Sequence, residues 1–340
     1  MNKMRSISFY ARNRNIYFYI KIIVFAISGL LSIDRCLSND NTVENSEIDV
    51  YNSLPAKWSK SIIIEVLEKN LEIKISSRVA GAVESLVWAK KEFINSYDHG
   101  RELQSAVSFD GFGECLNPTE AGSEIDGRGS DSSSKLEILK LARNSLSTRT
   151  KMAYWKPPAA SGPSCPKGPA GYTNVRTSYE LEKKISVGVF GLDNVIEHSV
   201  KFIVPTRHNS GVFEASTMYL VNEFDKFWVY DVKNRNLKIF NANNMEQEMP
   251  VVISTADKNY AVGVYSPDLP QKNYQKLGYG VFRFPTPKED GKFTSKWNCV
   301  FRMGAIAEGE YNFRCFIVVG KIEDVKNSLE KLAAKFTKIN

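Results

Sequence analysis

The sequence has 340 residues and a net charge of +7, and its apolar and charged fractions are those of an ordinary globular protein. Residues 1–38 carry +5 of that charge, so a chain without them would carry only +2. This small balance gives no support to nucleic-acid binding. The sequence also has no P-loop, dinucleotide-binding, nucleophile-elbow or zinc-ligand spacing, which excludes the common motif-bearing enzymes.

The N-terminal segment has the pattern of a secretory signal peptide. Several Lys and Arg residues precede an apolar run from Ile22 to Ile33, and small residues at Cys36 and Ser38 offer a cleavage point after residue 38. The run is short for a membrane span. If residues 17–20 are counted with it, Lys21 falls inside the segment, so an uncleaved signal anchor is the alternative. The pattern favours secretion, with no membrane contact after cleavage.

Removal of residues 1–38 would leave four cysteines, Cys115, Cys165, Cys299 and Cys315. An even number in an oxidising compartment indicates two disulfides, for which three connectivities exist. Cys299 and Cys315 flank a hairpin-like unit and could pair, which would join Cys115 to Cys165. Free buried thiols are the alternative, because a domain of this size does not need cross-links.

Strand signals begin after a polar leader, residues 39–59. From residue 60 onward, charged and β-branched residues alternate with period two, which is typical of half-buried strands. The predicted strands of this region are 61–67, 71–75, 81–88 and 92–95, with a turn at Asn70.

Two loops follow. Residues 122–134 are rich in Gly, Ser and Asp, and residues 157–171 contain five Pro and three Gly. The second loop is the best candidate for a mobile flap. Between them, residues 136–146 are compatible with a helix or with paired strands, and we favour strands.

The second half consists of short strands separated by turn signals about every ten residues, which indicates a sandwich or barrel. A closing helix is predicted over 322–336, because apolar residues recur at three- and four-residue steps and Asp324 lies in the first turn. No linker interrupts residues 60–320. We therefore predict one all-β domain over residues 60–340, a large β-sandwich or supersandwich of many antiparallel strands. Its predicted later strands are 185–190, 195–204, 212–220, 226–231, 237–240, 251–254, 261–265, 278–284, 297–303 and 311–319.

A polar stretch from Tyr97 to Gly122 is the candidate site. It combines His, Arg, Gln and several carboxylates with Gly, and irregular polar segments of this kind often carry function. The neighbouring Asp98 would favour the protonated form of His99 and suit it to proton transfer. A histidine that hydrogen-bonds to the loop backbone is the alternative.

Three segments carry a family resemblance: Gly81–Leu86 with Asp98–Gln104, then Asn117–Gly122, then Trp297–Arg302. Together they resemble the galactose-mutarotase-like supersandwich proteins, in which a Gly-x-x-x-Ser-Leu strand leads to a loop whose Arg and Gln or Asn face the sugar. The resemblance covers most of residues 60–320 in strand rhythm and is closest to secreted members of unassigned activity. It implies a carbohydrate ligand.

The catalytic residues of that family are matched only in part. Its acid is a His in an Asn-His-Ser-Tyr context and its base is a Glu near the end of the domain. This chain has Glu197-His198-Ser199, and only Glu308 and Glu310 near the end. Because a shared fold does not imply a shared activity, we take the candidates from the polar stretch and its surroundings. The predicted catalytic residues are His99, Glu114 and Glu120, and the predicted substrate contacts are Asp98, Arg101, Gln104, Asn117 and Trp155.

The chemistry of these residue types fits sugars. Glycoside cleavage needs one protonated and one ionised carboxyl group, and lyase or epimerase chemistry needs a base and a group that stabilises an oxyanion. Trp155 and Trp228 could stack on sugar rings or belong to the core. Arg101 and Gln104 would face opposite sides of a regular strand, so only an irregular turn would bring them together.

The other two histidines and a metal site are weaker functional candidates than His99. His198 lies on the apolar side of an alternating strand and is predicted to be a hydrogen-bonded core residue. His208 follows Pro205 in a turn and is predicted to be solvated. Carboxylates with Asn117 could hold Ca²⁺, but their spacing matches no EF-hand loop. We therefore expect no metal and no cofactor.

Three functional hypotheses follow. The first is a secreted carbohydrate-active enzyme, either epimerase-like or lyase/hydrolase-like. The second is a non-catalytic carbohydrate-binding or adhesion module with the same pocket. The third is a purely structural extracellular protein.

Overall fold

The computed structural model describes residues 49–52, 62–66, 70–241, 244–267, 274–286, 289 and 291–336. The predicted signal peptide and most of the predicted leader lie outside these ranges. The described strands are β1 (Asp49–Asn52), β2 (Ile62–Val66), β3 (Leu71–Ile75), β4 (Val83–Trp88), β5 (Lys91–Glu92), β6 (Gln104–Phe109), β7 (Pro118–Thr119), β8 (Lys135–Ala142), β9 (Ser145–Tyr154), β10 (Arg176–Val187), β11 (Val195–Val204), β12 (Gly211–Leu220), β13 (Phe224–Asp231), β14 (Asn236–Ile239), β15 (Met245–Gln247), β16 (Val251–Thr255), β17 (Ala261–Tyr265), β18 (Tyr274–Pro285), β19 (Phe293–Met303) and β20 (Gly309–Gly320).

The all-β prediction is confirmed. Sixteen strands form one antiparallel sheet, and β2 to β5 form a second, four-stranded sheet. The predicted C-terminal helix is also confirmed as α1 (Ile322–Phe336). The order along the large sheet is β14-β13-β16-β17-β20-β11-β10-β9-β7-β6-β12-β19-β18-β15, with β8 beside β9 and β1 beside β8.

The large sheet curls so that two of its parts face each other. Phe213 on β12 packs against Phe202 on β11 and Phe313 on β20, with ring centroids 5.2 and 4.9 Å apart. These strands are far apart in the sheet order, so their contact shows that the parts are stacked as two layers. The apolar core lies between them and excludes water from both inner faces.

Alternation along the strands assigns each residue to the core or to an outer face. On β11, Val200 and Phe202 are buried whereas Ser199 and Lys201 are partly exposed. On β12 a register shift between Glu214 and Ser216 interrupts the alternation. Such an irregularity re-aims the side chains that follow it.

Helix α1 packs on the outer side of the sheet at β17 and β20. Its buried residues Val325, Leu329 and Leu332 form a separate apolar cluster with Phe316 and Val318. No helix among the described residues is long and apolar enough to cross a membrane.

Two local predictions need correction. The strand predicted over 185–190 ends at Val187, because Phe190 adopts a left-handed conformation (φ 57°) within a 3-10 turn. Residues 49–52 were expected in the loose leader, but they pair with β8 as strand β1.

The paired-strand interpretation of residues 136–146 is confirmed by the β8–β9 hairpin. A single domain over residues 60–340 remains a prediction.

Candidate functional site

A disulfide fastens the polar stretch to the Pro/Gly-rich loop. Cys115 and Cys165 are bonded, with their Cα atoms 5.2 Å apart. Next to them, the Glu114 N–H donates to the Ser164 carbonyl oxygen at 2.9 Å. The predicted Cys115–Cys165 pairing is therefore confirmed. The predicted second disulfide is wrong: Cys299 and Cys315 are buried and form no disulfide, which is the alternative that the sequence left open.

Within the polar stretch, His99 points into the interior, and its side chain is fully buried. Its Nδ1 is 2.9 Å from the Gly127 carbonyl oxygen and its Nε2 is 2.7 Å from the Arg78 carbonyl oxygen. The ring thus bridges two backbone segments, which is the alternative that the sequence offered. Proton transfer to a ligand would require one of these bonds to open.

Glu120 and Gln104 are also buried. Glu120 forms an ion pair with Lys183 and accepts the Ser105 N–H at 3.1 Å. Burial raises the pKa of Glu120, and the charge of Lys183 acts against this shift. Gln104 accepts the Ala121 N–H through its Oε1 at 3.0 Å. Both side chains hold the stretch to the neighbouring strands.

Next to these groups lies a row of partly exposed aromatic rings, with cations between them that are themselves largely buried (Arg101 is 8% exposed). Arg101 lies at its centre, with its guanidinium carbon 5.3 Å from the ring centroid of Phe284 and 5.6 Å from that of Tyr97. Its Nε is 3.4 Å from Asp98 Oδ2, and its Nη1 donates to Thr294 Oγ1 at 2.9 Å. The arginine is therefore held in one position before any ligand arrives.

Lys296 continues the row on β19. Its ammonium is 5.1 Å from the ring centroid of Tyr219 and 5.6 Å from that of Phe282, and 3.0 Å from Glu214 Oε2. Although burial acts in the other direction, Glu214 and Tyr219 raise the pKa of Lys296, so it remains a cation. Burial raises the pKa of Tyr219, so its phenol remains protonated. The rings of Tyr219 and Phe284 meet edge to face at 6.1 Å and join the two cations into one surface.

Trp155 lies directly on the backbone of Gly100. A Cβ at position 100 would lie 2.5 Å from Cη2 of the indole, so only glycine permits this approach. The backbone N–H of Trp155 donates to the Asn117 carbonyl oxygen at 2.9 Å. Asn117 therefore positions the tryptophan through its main chain. We call the surface built from these groups the aromatic–cation face; its members are Tyr97, Arg101, Trp155, Tyr219, Phe284 and Lys296.

Glu114 lies beside this face and is partly exposed. Its Oε2 is 3.3 Å from Lys156 Nζ, and the same ammonium is 2.7 Å from Glu124 Oε2. The charge of Glu114 is one of the influences that raise the pKa of Tyr219. The structure therefore brings Asp98, Arg101, Glu114 and Trp155 to the face. It buries His99, Gln104 and Glu120 below, and Arg101 and Gln104 do not converge.

Tyr219, Phe284 and Lys296 were not among the site residues predicted from the sequence. A signal was available, since Lys296 and Asn298 alternate with the buried Trp297 and Cys299. Period-two alternation alone would have placed Lys296 on the side facing away from the core.

The prediction that His208 is solvated is wrong. Its Nδ1 is 2.7 Å from Asp110 Oδ2, its Nε2 is 2.7 Å from the Tyr179 hydroxyl, and its ring stacks on Phe109. It borders a cleft of about 720 Å³ with residues 305–311. His198 is buried as predicted, but neither ring nitrogen has a hydrogen-bond partner among the described residues.

The fold and the face define an all-β sandwich protein with an aromatic, charged outer surface. No protein-family model and no curated protein matches the sequence. Among solved structures, the chain is similar to a galactose mutarotase-like protein from Clostridium acetobutylicum, with 13% identity, a TM-score of 0.37, and coverage of 82% of this chain and 99% of that one. This is the family that the three sequence segments resemble.

Two further structures show similarity of the same order. The Slr1438 protein from Synechocystis sp. PCC 6803 has 9% identity and a TM-score of 0.40, covering 77% of this chain and 96% of that one. Heparan sulfate lyase HepC from Pedobacter heparinus has 7% identity and a TM-score of 0.41, covering 77% of this chain. The chain spans about a third of the lyase, 35% of its length. At these scores none of the three carries an argument about activity.

Proposed function

We propose that the protein is secreted and binds a carbohydrate on the aromatic–cation face. The observation that carries the proposal is a connected set of rings and cations: Arg101 lies against Tyr97 and Phe284, Phe284 contacts Tyr219, and Tyr219 lies against Lys296. Sugar rings stack their C–H faces on aromatic side chains, and a few placed polar groups fix their orientation. The Cys115–Cys165 bond supports an oxidising compartment.

Binding without turnover is the function that this geometry supports best. His99 and Glu120 direct their polar atoms to partners in the interior. Catalytic roles for His99, Glu114 and Glu120 remain a prediction that requires the site to rearrange. Arg101, by contrast, is already oriented toward the rings that would hold a sugar.

One observation favours an enzyme as the second candidate. Burial raises the pKa of the Tyr219 phenol, so it is protonated, and the Lys296 ammonium lies 5.1 Å from the centroid of its ring. A phenol in this position could donate its proton to a sugar oxygen, and the adjacent cation would stabilise the phenolate that remains. An epimerase-like or lyase/hydrolase-like reaction would use such a group.

A glycan-array screen of the secreted chain tests the proposal. Trp155→Ala and Phe284→Ala should abolish binding. Trp228→Ala, which removes a half-buried tryptophan on β13, is the matched control and should leave it intact. Binding that survives both changes on the face would exclude this surface. If Tyr219→Phe abolishes turnover of the bound sugar while retaining binding, the enzyme replaces the binding module as the conclusion.

A further inference from the structure

A single cross-strand row of side chains crosses the outer side of the other layer. The register of β8, β9, β10, β11 and β20 aligns one residue from each strand. The residues next to the row members along β9, β10, β11 and β20 are buried: Thr148, Lys183, Val200 and Phe313. Because successive side chains of a strand point to opposite faces, the row itself points away from the core. We call it the cation row; its members are Lys140, Ser147, Lys184, Ser199 and Arg314.

Two charges of this row, those of Lys140 and Lys184, are not compensated as the charges of the neighbouring row are. In the next row, Glu182 lies 3.7 Å from Arg149 and 2.9 Å from Lys201, so opposite charges alternate. Lys140 and Lys184 are exposed, and within the described part of the chain neither forms an ion pair. Exposed cations without a protein partner are free to attract an anionic ligand.

The third cation of the row is held by aromatic rings. The Arg314 guanidinium lies 5.4 Å from the ring centroid of Phe316 and 5.0 Å from that of Phe336 at the end of α1. Between the cations lie Ser147 and Ser199, whose small side chains leave the surface open. The row borders a groove of about 750 Å³.

We infer that the cation row binds a linear anionic glycan across the strands. Adjacent strands are about 4.8 Å apart, so cations on alternate strands recur at about 10 Å. This spacing suits a polymer with a carboxylate or sulfate on every second sugar, whose hydroxyl groups would meet Ser147 and Ser199. Single-stranded nucleic acid fits less well, because it needs aromatic side chains on which its bases stack. The site is separate from the aromatic–cation face, because Tyr219 and Lys296 lie on β12 and β19, whereas the cation row crosses β8, β9, β10, β11 and β20.

The test uses the mature, disulfide-bonded chain and four probes of equal length. They are a hyaluronan oligosaccharide, a chondroitin sulfate oligosaccharide, a neutral dextran oligosaccharide and a single-stranded DNA. Affinities are measured by fluorescence anisotropy at low and at physiological ionic strength. We expect both anionic glycans to bind, more weakly as salt is added, and the neutral dextran oligosaccharide not to bind to this row.

The double variant Lys140→Gln/Lys184→Gln should weaken anionic-glycan binding about tenfold, as the loss of two exposed charge contacts predicts. The control Lys90→Gln/Lys233→Gln removes two exposed charges elsewhere and should leave the affinity unchanged. Trp155→Ala should also leave it unchanged, which separates this site from the carbohydrate site proposed above. Equal losses in both double variants, the absence of binding at low salt, or tighter binding of the DNA would each overturn the inference.

Discussion

Lys183 and Glu120 form an ion pair within the core, where both side chains have no exposure to solvent. Lys183 also donates to the Gly81 carbonyl oxygen at 2.8 Å, and Glu120 accepts the Ser105 N–H. The pair thus joins β10 to the turn before β4 and to β6. Strands from both sheets therefore depend on one buried charge pair.

Removing one member of this pair should be strongly destabilising. Lys183→Met or Glu120→Leu alone leaves an uncompensated buried group and should lower the free energy of unfolding by about 3–5 kcal/mol. The double variant should recover part of the loss, because it leaves neither charge behind. Urea unfolding of the four proteins measures this coupling. Additive losses would show that the pair does not act as a unit.

His198 should make the protein sensitive to acid. Burial, with a contribution from Lys183, lowers its pKa to about 3, whereas an unfolded chain protonates it near 6.5. Its contribution to stability is complete above pH 6.5 and is lost as the pH falls toward 3, because only the unfolded chain takes up the proton. Between pH 7 and pH 5 the loss should be about 2 kcal/mol. His198→Leu should show a flatter profile in urea unfolding, and an unchanged slope would refute this role.

Reduction of the Cys115–Cys165 disulfide should destabilise the protein. The bond links residues 50 apart in the sequence, and closing a loop of that length stabilises the folded state by roughly 4 kcal/mol in the chain-entropy model. Thermal unfolding with and without dithiothreitol measures the loss. The variant Cys115→Ser/Cys165→Ser should start at the lower stability and be insensitive to the reductant. A further loss on reduction of this variant would point to another cause.

Gly100→Ala should disturb Trp155 and the carbohydrate site together. The added methyl group would overlap the indole, and overpacking of this kind costs about 1–3 kcal/mol. The displaced tryptophan should weaken glycan binding. Gly100→Ala/Trp155→Phe should recover stability, because the smaller ring leaves room for the methyl group. Failure of this rescue would mean that the strain lies elsewhere.

The strands could be predicted because their signal is local. Alternation over 195–204 and 311–319 identified β11 and β20 without any knowledge of their neighbours. Their pairing could not be predicted in the same way. The alignment of His198 with Cys315 joins positions more than a hundred residues apart, and no pattern within either strand encodes it. The stacking of β12 on β11 and β20 depends on the same distant contacts.

The site could be predicted as a region but not as a set of exposed groups. The composition of residues 97–122 predicted a site in this stretch, and Asp98, Arg101 and Glu114 lie at or beside the aromatic–cation face; that the stretch binds a ligand remains a prediction. Composition does not reveal which side of a loop meets solvent, so the buried His99 was placed among the catalytic residues. Lys296 was missed because it comes from a distant strand and has no polar cluster around it in the sequence.

The position of β20 has a consequence for how the protein is made. β20, the last strand among the described residues, lies inside the sheet between β17 and β11, and α1 follows it directly. During synthesis, the edges of β11 and β17 that pair with β20 therefore remain unpaired until residues 309–320 have left the ribosome. Closure of the sheet is a late, non-local step, and such steps are slow. A chain that stops before residue 309 would keep most of the described strands and lose the one that joins β17 to β11.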